Sequence, residues 1–281
     1  MGLWAALIDR VAGMLAYFPP KPPTYTITSS EGGKYTLSGG FTRDLSRCKV
    51  MKLDTERRRG GGGGEKIVAI YVPYDTGNGV GAKKTLLHSH GNAVDLGIMQ
   101  SVYVHLSETL GVNVLGYDYS GYGRSTGSPS IRNTFADIRA CWSYLVDDRK
   151  VNPKDIILYG QSVGSGPTCE LASKVEELGG VILHSPLASG MRVLKPTIEK
   201  WPVWLDIYPN LEFVQKIKAP TLIMHGTADE VIHISNATLL HSLCGNSVSP
   251  LWVEGYDHQN LDFSPQYVER LGHFMQEISM S

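Results

Sequence analysis

Six short apolar runs, at residues 85–88, 112–117, 156–159, 180–184, 221–225 and 250–253, alternate with helical stretches at 96–110, 134–146, 163–177, 235–243 and 265–278. A parallel return needs a crossover, and the crossover helix must cover the sheet. Such alternation therefore predicts a mostly parallel sheet with helices on both faces. Ligands in folds of this kind lie at the carboxyl ends of the strands, so the chemistry is expected in the loop after each strand. Upstream, residues 24–28, 45–53 and 65–72 read as strands with no helix between them. Residues 31–40 read as a glycine-containing turn region. The leading strands are expected to form an antiparallel entry to the sheet.

One junction carries a reactive side chain. The run Ile156, Ile157, Leu158, Tyr159 meets Gly160-Gln161-Ser162-Val163-Gly164, and helix-compatible residues follow. This is the form of a nucleophile elbow, a strand turning sharply into a helix with a serine hydroxyl exposed at the tip. Glycines at the first and last positions relieve collisions across the turn. The helix behind Ser162 aims free N–H groups and its positive dipole end at the same point. A second G-x-S-x-G match, Gly123-Arg124-Ser125-Thr126-Gly127, lies several residues past its strand. Pro129 delays the next helix there, so that segment reads as a glycine-rich loop. With 31 glycines in the chain, context and not the motif favours Ser162.

A serine needs a base, and the base needs an orienting group. His105, His241 and His273 fall in helical stretches, while His88, His184 and His225 lie in strands or at their ends. His258, in Gly255-Tyr256-Asp257-His258-Gln259, follows the last strand and is the expected general base. The expected carboxylate is Asp229, in His225-Gly226-Thr227-Ala228-Asp229, with Glu230 and then Asp257 or Asp206 as alternatives. The resulting order Ser…Asp…His is that of α/β-hydrolases. Two N–H donors are also required for a tetrahedral oxyanion. The N–H of Val163 is one. The other is expected from the loop His88-Ser89-His90-Gly91-Asn92-Ala93, with Asn92 as the choice and Ala93 as the alternative. Asp118 reads as a brace for its loop.

Composition narrows the class further. A net charge of −1 carries no basic excess, which argues against nucleic acid as a partner. Cys48, Cys141, Cys169 and Cys244 lack paired or metal-ligand spacing, so neither a disulfide framework nor a zinc site is expected; a serine hydrolase of this form calls for no cofactor or metal. No apolar run reaches the roughly 20 residues that span a bilayer. Leu3, Trp4, Leu7, Ile8, Val11, Met14, Leu15 and Phe18 do recur at helical spacing, and Phe18-Pro19-Pro20 ends the pattern. The expected organisation is an amphipathic helix and proline-rich linker over residues 1–23, then a catalytic α/β-hydrolase domain over 24–281. Two readings of the helix stay open, lying in a membrane interface or docking on the protein's own body. The run Arg57-Arg58-Arg59 with five glycines after it reads as a solvated loop. The connection 186–219, with Trp201, Trp204, Leu205 and Tyr208, either caps the site for an acyl chain or packs on the sheet.

The motifs LLHSHGNAVDLG, DYSGYGRSTGSPS, GQSVGSGPT, HSPLASGMRVL and GTADEVI, with PPKPPTY before them, resemble the alpha/beta-hydrolase domain-containing protein 17 family over nearly the whole chain. The resemblance implies a serine hydrolase that removes palmitate from cysteine thioesters on membrane-attached proteins. Its triad would be Ser162, Asp229 and His258, and its setting cytoplasmic with peripheral membrane contact. Family members carry an acylated N-terminal cysteine cluster. Here no cysteine precedes Cys48, so the amphipathic helix would serve as the membrane contact. The broader Bem46-like hydrolases share the H-G-N and G-Q-S elements, and that likeness implies carboxyl or lipid ester substrates. A non-catalytic membrane-associated scaffold is the reading from a different class.

Overall fold

The computed structural model describes residues 16–29, 34–40, 46–56, 64–75, 77, 81–195, 197–198 and 206–280. The helix expected over residues 1–18 therefore lies outside the described residues except for its end, as do the arginine–glycine loop at 57–63 and Trp201, Trp204 and Leu205. The described residues fall into two compact units, divided after Asn152.

The first unit contains strands β1 (Tyr25–Ser29), β2 (Tyr35–Gly39), β3 (Lys49–Asp54), β4 (Lys66–Val72), β5 (Thr85–Ser89) and β6 (Asn113–Tyr117). Helix α1 (Leu96–Leu110) connects β5 to β6, and α2 (Ile131–Ser143) follows β6. The strands lie in the order β1-β2-β3-β4-β6-β5. Pairing is antiparallel from β1 through β4 and on to β6, then parallel between β6 and β5. The antiparallel entry expected from sequence is present, with one correction. Residues 35–39 form β2, a strand between β1 and β3, where a turn was expected. The five residues alternate with only Leu37 buried, and glycines at both ends mask so short a pattern.

The second unit contains β7 (Ile156–Gln161), β8 (Gly180–His184), β9 (Thr221–Gly226) and β10 (Leu251–Val253), all parallel and in that order. Helix α3 (Ser165–Ala172) packs on β7 and β8, α6 (Ser235–Leu243) on β9, and α7 (Pro265–Met280) on β10. Between β8 and β9 lie two short helices, α4 (Gly190–Leu194) and α5 (Asn210–Val214), absent from the sequence reading. In the described part of this connection Tyr208 is fully buried and seats its ring on Gly166 of α3, so that part packs against the domain. Ile156, Ile157, Leu158, Val181, Ile182, Leu183, Leu222, Ile223 and Met224 are fully buried. Each contributes roughly 1.5–3 kcal/mol. Burial on both faces explains why these strands read as continuous apolar runs instead of alternating ones.

Several helix boundaries differ from expectation. α2 starts three residues early because the Ser130 side chain accepts the Asn133 N–H, capping the helix. It ends at Ser143, followed by a π-helical turn at Tyr144–Asp148. α3 stops at Ala172, five residues short of the sequence estimate. All four cysteines are free. Among the described residues no helix is long and apolar enough to cross a membrane.

Candidate active site

At the carboxyl end of β7 the chain bends at Ser162, whose φ is +52°. An L residue held in the left-handed region stores strain, which the surrounding packing must maintain. Here the maintenance is visible. The Ser165 hydroxyl donates to the Ser162 carbonyl at 2.7 Å and accepts the Leu187 N–H and an Asn210 side-chain N–H, each at 3.3 Å. Gly160 has no room for a side chain, since a Cβ would stand 2.7 Å from the Gly164 carbonyl oxygen and 2.8 Å from the Ser165 Cα. Val163 is the second residue of a 3-10 turn over Ser162–Gly164. Its N–H precedes the first i→i−3 bond and is one of the unpaired donors of a helix start.

Ser162 is buried, with its Oγ 3.0 Å from Nε2 of His258. The other ring nitrogen, Nδ1, is 2.7 Å from Oδ2 of Asp229. An ionised carboxylate only accepts, so Nδ1 carries the hydrogen and Nε2 presents a lone pair to the serine hydroxyl. Asp229 follows β9 and is buried. Its Oδ1 accepts the N–H groups of Val231 and Ile232 at 2.9 and 2.8 Å. Burial opposes its charge, but hydrogen bonds from His225, His258 and the Ile232 N–H outweigh that and hold the carboxyl well below the usual carboxylate range. Glu230, the first alternative, is exposed. Asp257 accepts the N–H groups of Gln259 and Asn260, shaping the His258 loop, and Asp206 accepts the Met191 N–H. The geometry thus brings together Ser162, Asp229 and His258.

Sequence reasoning set aside His225 as a strand histidine, yet its Nε2 lies 3.1 Å from Asp229 Oδ2. The spacing H-G-x-x-D, a histidine four residues before the carboxylate, was the available signal.

In the first unit, Asn92 sits in a tight loop after β5. Its Oδ1 accepts from the Phe18 N–H at 2.9 Å, the Tyr122 hydroxyl at 2.7 Å and the Ala93 N–H at 3.0 Å. Its Nδ2 donates to the Ala16 carbonyl at 2.7 Å. The Ala93 N–H is therefore engaged, while among the described residues no acceptor takes the N–H of Asn92. Asp118 is a brace. It accepts the Tyr25 hydroxyl at 2.5 Å and the Leu96 N–H at 2.9 Å. Ser125, the other motif serine, is likewise structural, accepting the Val68 N–H and donating to the Asp118 carbonyl.

The fold is that of an α/β-hydrolase. A family model described as serine aminopeptidase, S33 matches residues 81–213. Human alpha/beta hydrolase domain-containing protein 17B is 40% identical over 278 residues, covering 95% of this chain and 91% of that protein. The Caenorhabditis elegans protein aho-3, also an alpha/beta hydrolase domain-containing protein, is 43% identical over 274 residues, covering 95% of this chain and 78% of its own length. Among solved structures, an esterase of Pyrococcus furiosus superimposes with a TM-score of 0.67 at 20% identity, covering 85% of this chain and 96% of that one. The chain belongs to the alpha/beta hydrolase domain-containing protein 17 family.

Proposed function

We propose that the protein is a serine hydrolase that cleaves long-chain acyl thioesters, palmitoyl above all, from cysteines of membrane-attached proteins. The observation that carries the catalytic part is the hydrogen-bonded line from Ser162 Oγ through His258 to Asp229. His258 Nε2 takes the hydroxyl proton as Ser162 Oγ attacks the thioester carbonyl. Val163 supplies one main-chain donor to the oxyanion, and the Asn92 N–H is the second donor expected from sequence. The C–S bond then breaks, and the departing thiolate takes the proton from His258. Water, deprotonated by His258, attacks the acyl-serine; the bond to Ser162 Oγ breaks, Oγ takes the proton back from His258, and the fatty acid leaves. Asp229 stays ionised throughout and holds the imidazole in the required tautomer.

The thioester and the protein substrate follow from the family resemblance in the sequence motifs. Leu194 and Phe263 agree with an acyl chain as ligand. Each is 79% exposed, on the connections that follow β8 and β10. The membrane surface is the proposed second partner, met through the N-terminal helix from the cytoplasmic side. Phe18, at the end of the helix expected from sequence, is 58% exposed. A second reading, hydrolysis of small carboxyl or lipid esters by the same residues, is favoured by the fold's likeness to the Pyrococcus esterase.

Purified wild type and Ser162→Ala are to be compared on palmitoyl-thioester peptides and on short-chain p-nitrophenyl esters, with fluorophosphonate labelling in parallel. The expected result is faster thioester turnover, with labelling and both activities lost in Ser162→Ala. Preference for the esters would replace the first reading with the second. Labelling that persists in Ser162→Ala would remove the nucleophile assignment.

A further inference from the structure

His225 is fully buried at the end of β9, and its Nε2 has two neighbours, the Ile232 carbonyl at 2.7 Å and Asp229 Oδ2 at 3.1 Å. Both are acceptors, so Nε2 carries a hydrogen and shares it between them. Nδ1 is buried and, among the described residues, has no hydrogen-bond partner. The ring's polarity is therefore directed entirely at the turn that holds Asp229. Within that turn the Asp229 carboxylate accepts two N–H groups through Oδ1, while Oδ2 faces His258 on one side and His225 on the other. The four donors fill the four lone-pair positions of a carboxylate. Remove His225 and Oδ2 keeps only His258, the partner it has to orient.

We propose that His225 is a positioning residue for the hydrolytic reaction, fixing the rotation of the Asp229 carboxylate by donating to Oδ2 while it ties the 229–232 turn to β9 through the Ile232 carbonyl. The proposal rests on the serine-hydrolase reading above, and it adds a fourth side chain to the three that reading uses. His225 does not face the serine, so its loss acts through Asp229 and His258. Its N–H also places the positive end of a dipole beside Oδ2. Without it Oδ2 loses that dipole and the carboxylate is free to rotate away from the His258 ring.

The test is the soluble-ester assay on wild type, His225→Leu and His225→Gln, with active sites counted by fluorophosphonate titration. In His225→Leu kcat is expected to fall on the order of 10- to 100-fold with KM unchanged, the range that a hydrogen bond to a charged group spans when its loss is felt in the transition state. His225→Gln, whose amide nitrogen reaches the position of Nε2, is expected to recover most of kcat. Melting temperatures of the two variants separate folding from positioning. Wild-type kcat per titrated site in His225→Leu would overturn the proposal, as would a raised KM at unchanged kcat, or a loss that Gln does not relieve at equal thermal stability. Full activity in Ser162→Ala would instead overturn the serine-hydrolase reading beneath it, so the two failures are distinguishable.

Discussion

Gly226 separates His225 from the loop that ends in Asp229, and its missing side chain lets the His258 loop pack down on β9. A Cβ built there would stand 2.2 Å from the Tyr256 carbonyl oxygen, 2.6 Å from the Tyr256 carbonyl carbon and 3.2 Å from the Asp257 N. Ordinary contact begins at 3.4 Å, so Gly226→Ala requires a displacement of 3.4 − 2.2 = 1.2 Å. The obstacles are main-chain atoms and cannot swing away. The Tyr256 carbonyl also accepts the Ala228 N–H at 2.9 Å, and Thr227 and the Val253–Gly255 stretch exchange two further bonds, so the loop moves as a piece. His258 is two residues beyond Tyr256. A shift of that size takes its contact with Ser162, now 3.0 Å, to the limit of hydrogen bonding or past it. Misplacing a catalytic group by about 1 Å costs on the order of 100-fold in rate. Overpacking of this kind costs about 1–3 kcal/mol of stability. Gly226→Ala is therefore expected to fold with a lowered Tm and to lose about 100-fold in kcat on a soluble ester, at constant active-site titre. Wild-type kcat in a folded Gly226→Ala protein would refute the claim that the loop's close approach to β9 sets the position of His258.

Gly272 gives the opposite case. It lies inside α7 with nothing within 4 Å of a built Cβ, so Gly272→Ala is expected to stabilise by roughly 0.5–1 kcal/mol, read as a Tm raised by about 2 °C with activity unchanged. At the N-terminus, deleting residues 1–15 is expected to abolish liposome association while sparing the contacts of Ala16–Phe18. Deletion through residue 18 also removes both Asn92 bonds to that backbone and the buried Tyr17, for a further loss of roughly 2–4 kcal/mol by thermal melting. A comparable loss on deleting residues 1–15 alone would instead mean that the helix docks on the protein. Asp118 makes stability depend on pH. Burial pushes its carboxyl up to about 8, hydrogen bonds from Tyr25 and Leu96 lower it and the charge of Asp95 raises it further. A group with a raised folded-state pKa favours the fold fully below the unfolded value of about 3.9, and that contribution is lost as pH rises through about 8. The stability advantage of wild type over Asp118→Asn should therefore shrink between pH 6 and 9, measured by urea unfolding, and an advantage that grows would contradict the assignment.

The parallel strands were legible because burial on both faces leaves only apolar residues in them, and β8 starts and ends where the sequence places it. The positions of Ser162, Asp229 and His258 were legible for a related reason. Each falls in the loop directly after a strand, which separates Ser162 from Ser125, whereas Glu230 shares the Asp229 loop and stays an alternative until its exposure sets it apart. What the sequence concealed depends on contacts made at a distance. β2 is a strand because β1 and β3 flank it, and its own five residues carry little periodic signal. The partners of Ser165 lie 22 and 45 residues away, and no local pattern announces them. His225 looked like one more strand histidine because its role arises only when the turn returns Ile232 and Asp229 to the end of β9. Gly226 likewise has no local signature, since its constraint comes from Tyr256, thirty residues on.

The central claim is that Ser162 carries the acyl group between thioester and water. Its most direct test is rapid acid quenching of the wild-type protein during turnover of a palmitoyl-thioester peptide, followed by peptide mass mapping. The expected result is one palmitoyl increment on the peptide containing Ser162, formed no more slowly than thiol is released, and neither increment nor thiol release in Ser162→Ala. Thiol release with no acyl group on Ser162, or continued release by Ser162→Ala, would contradict it.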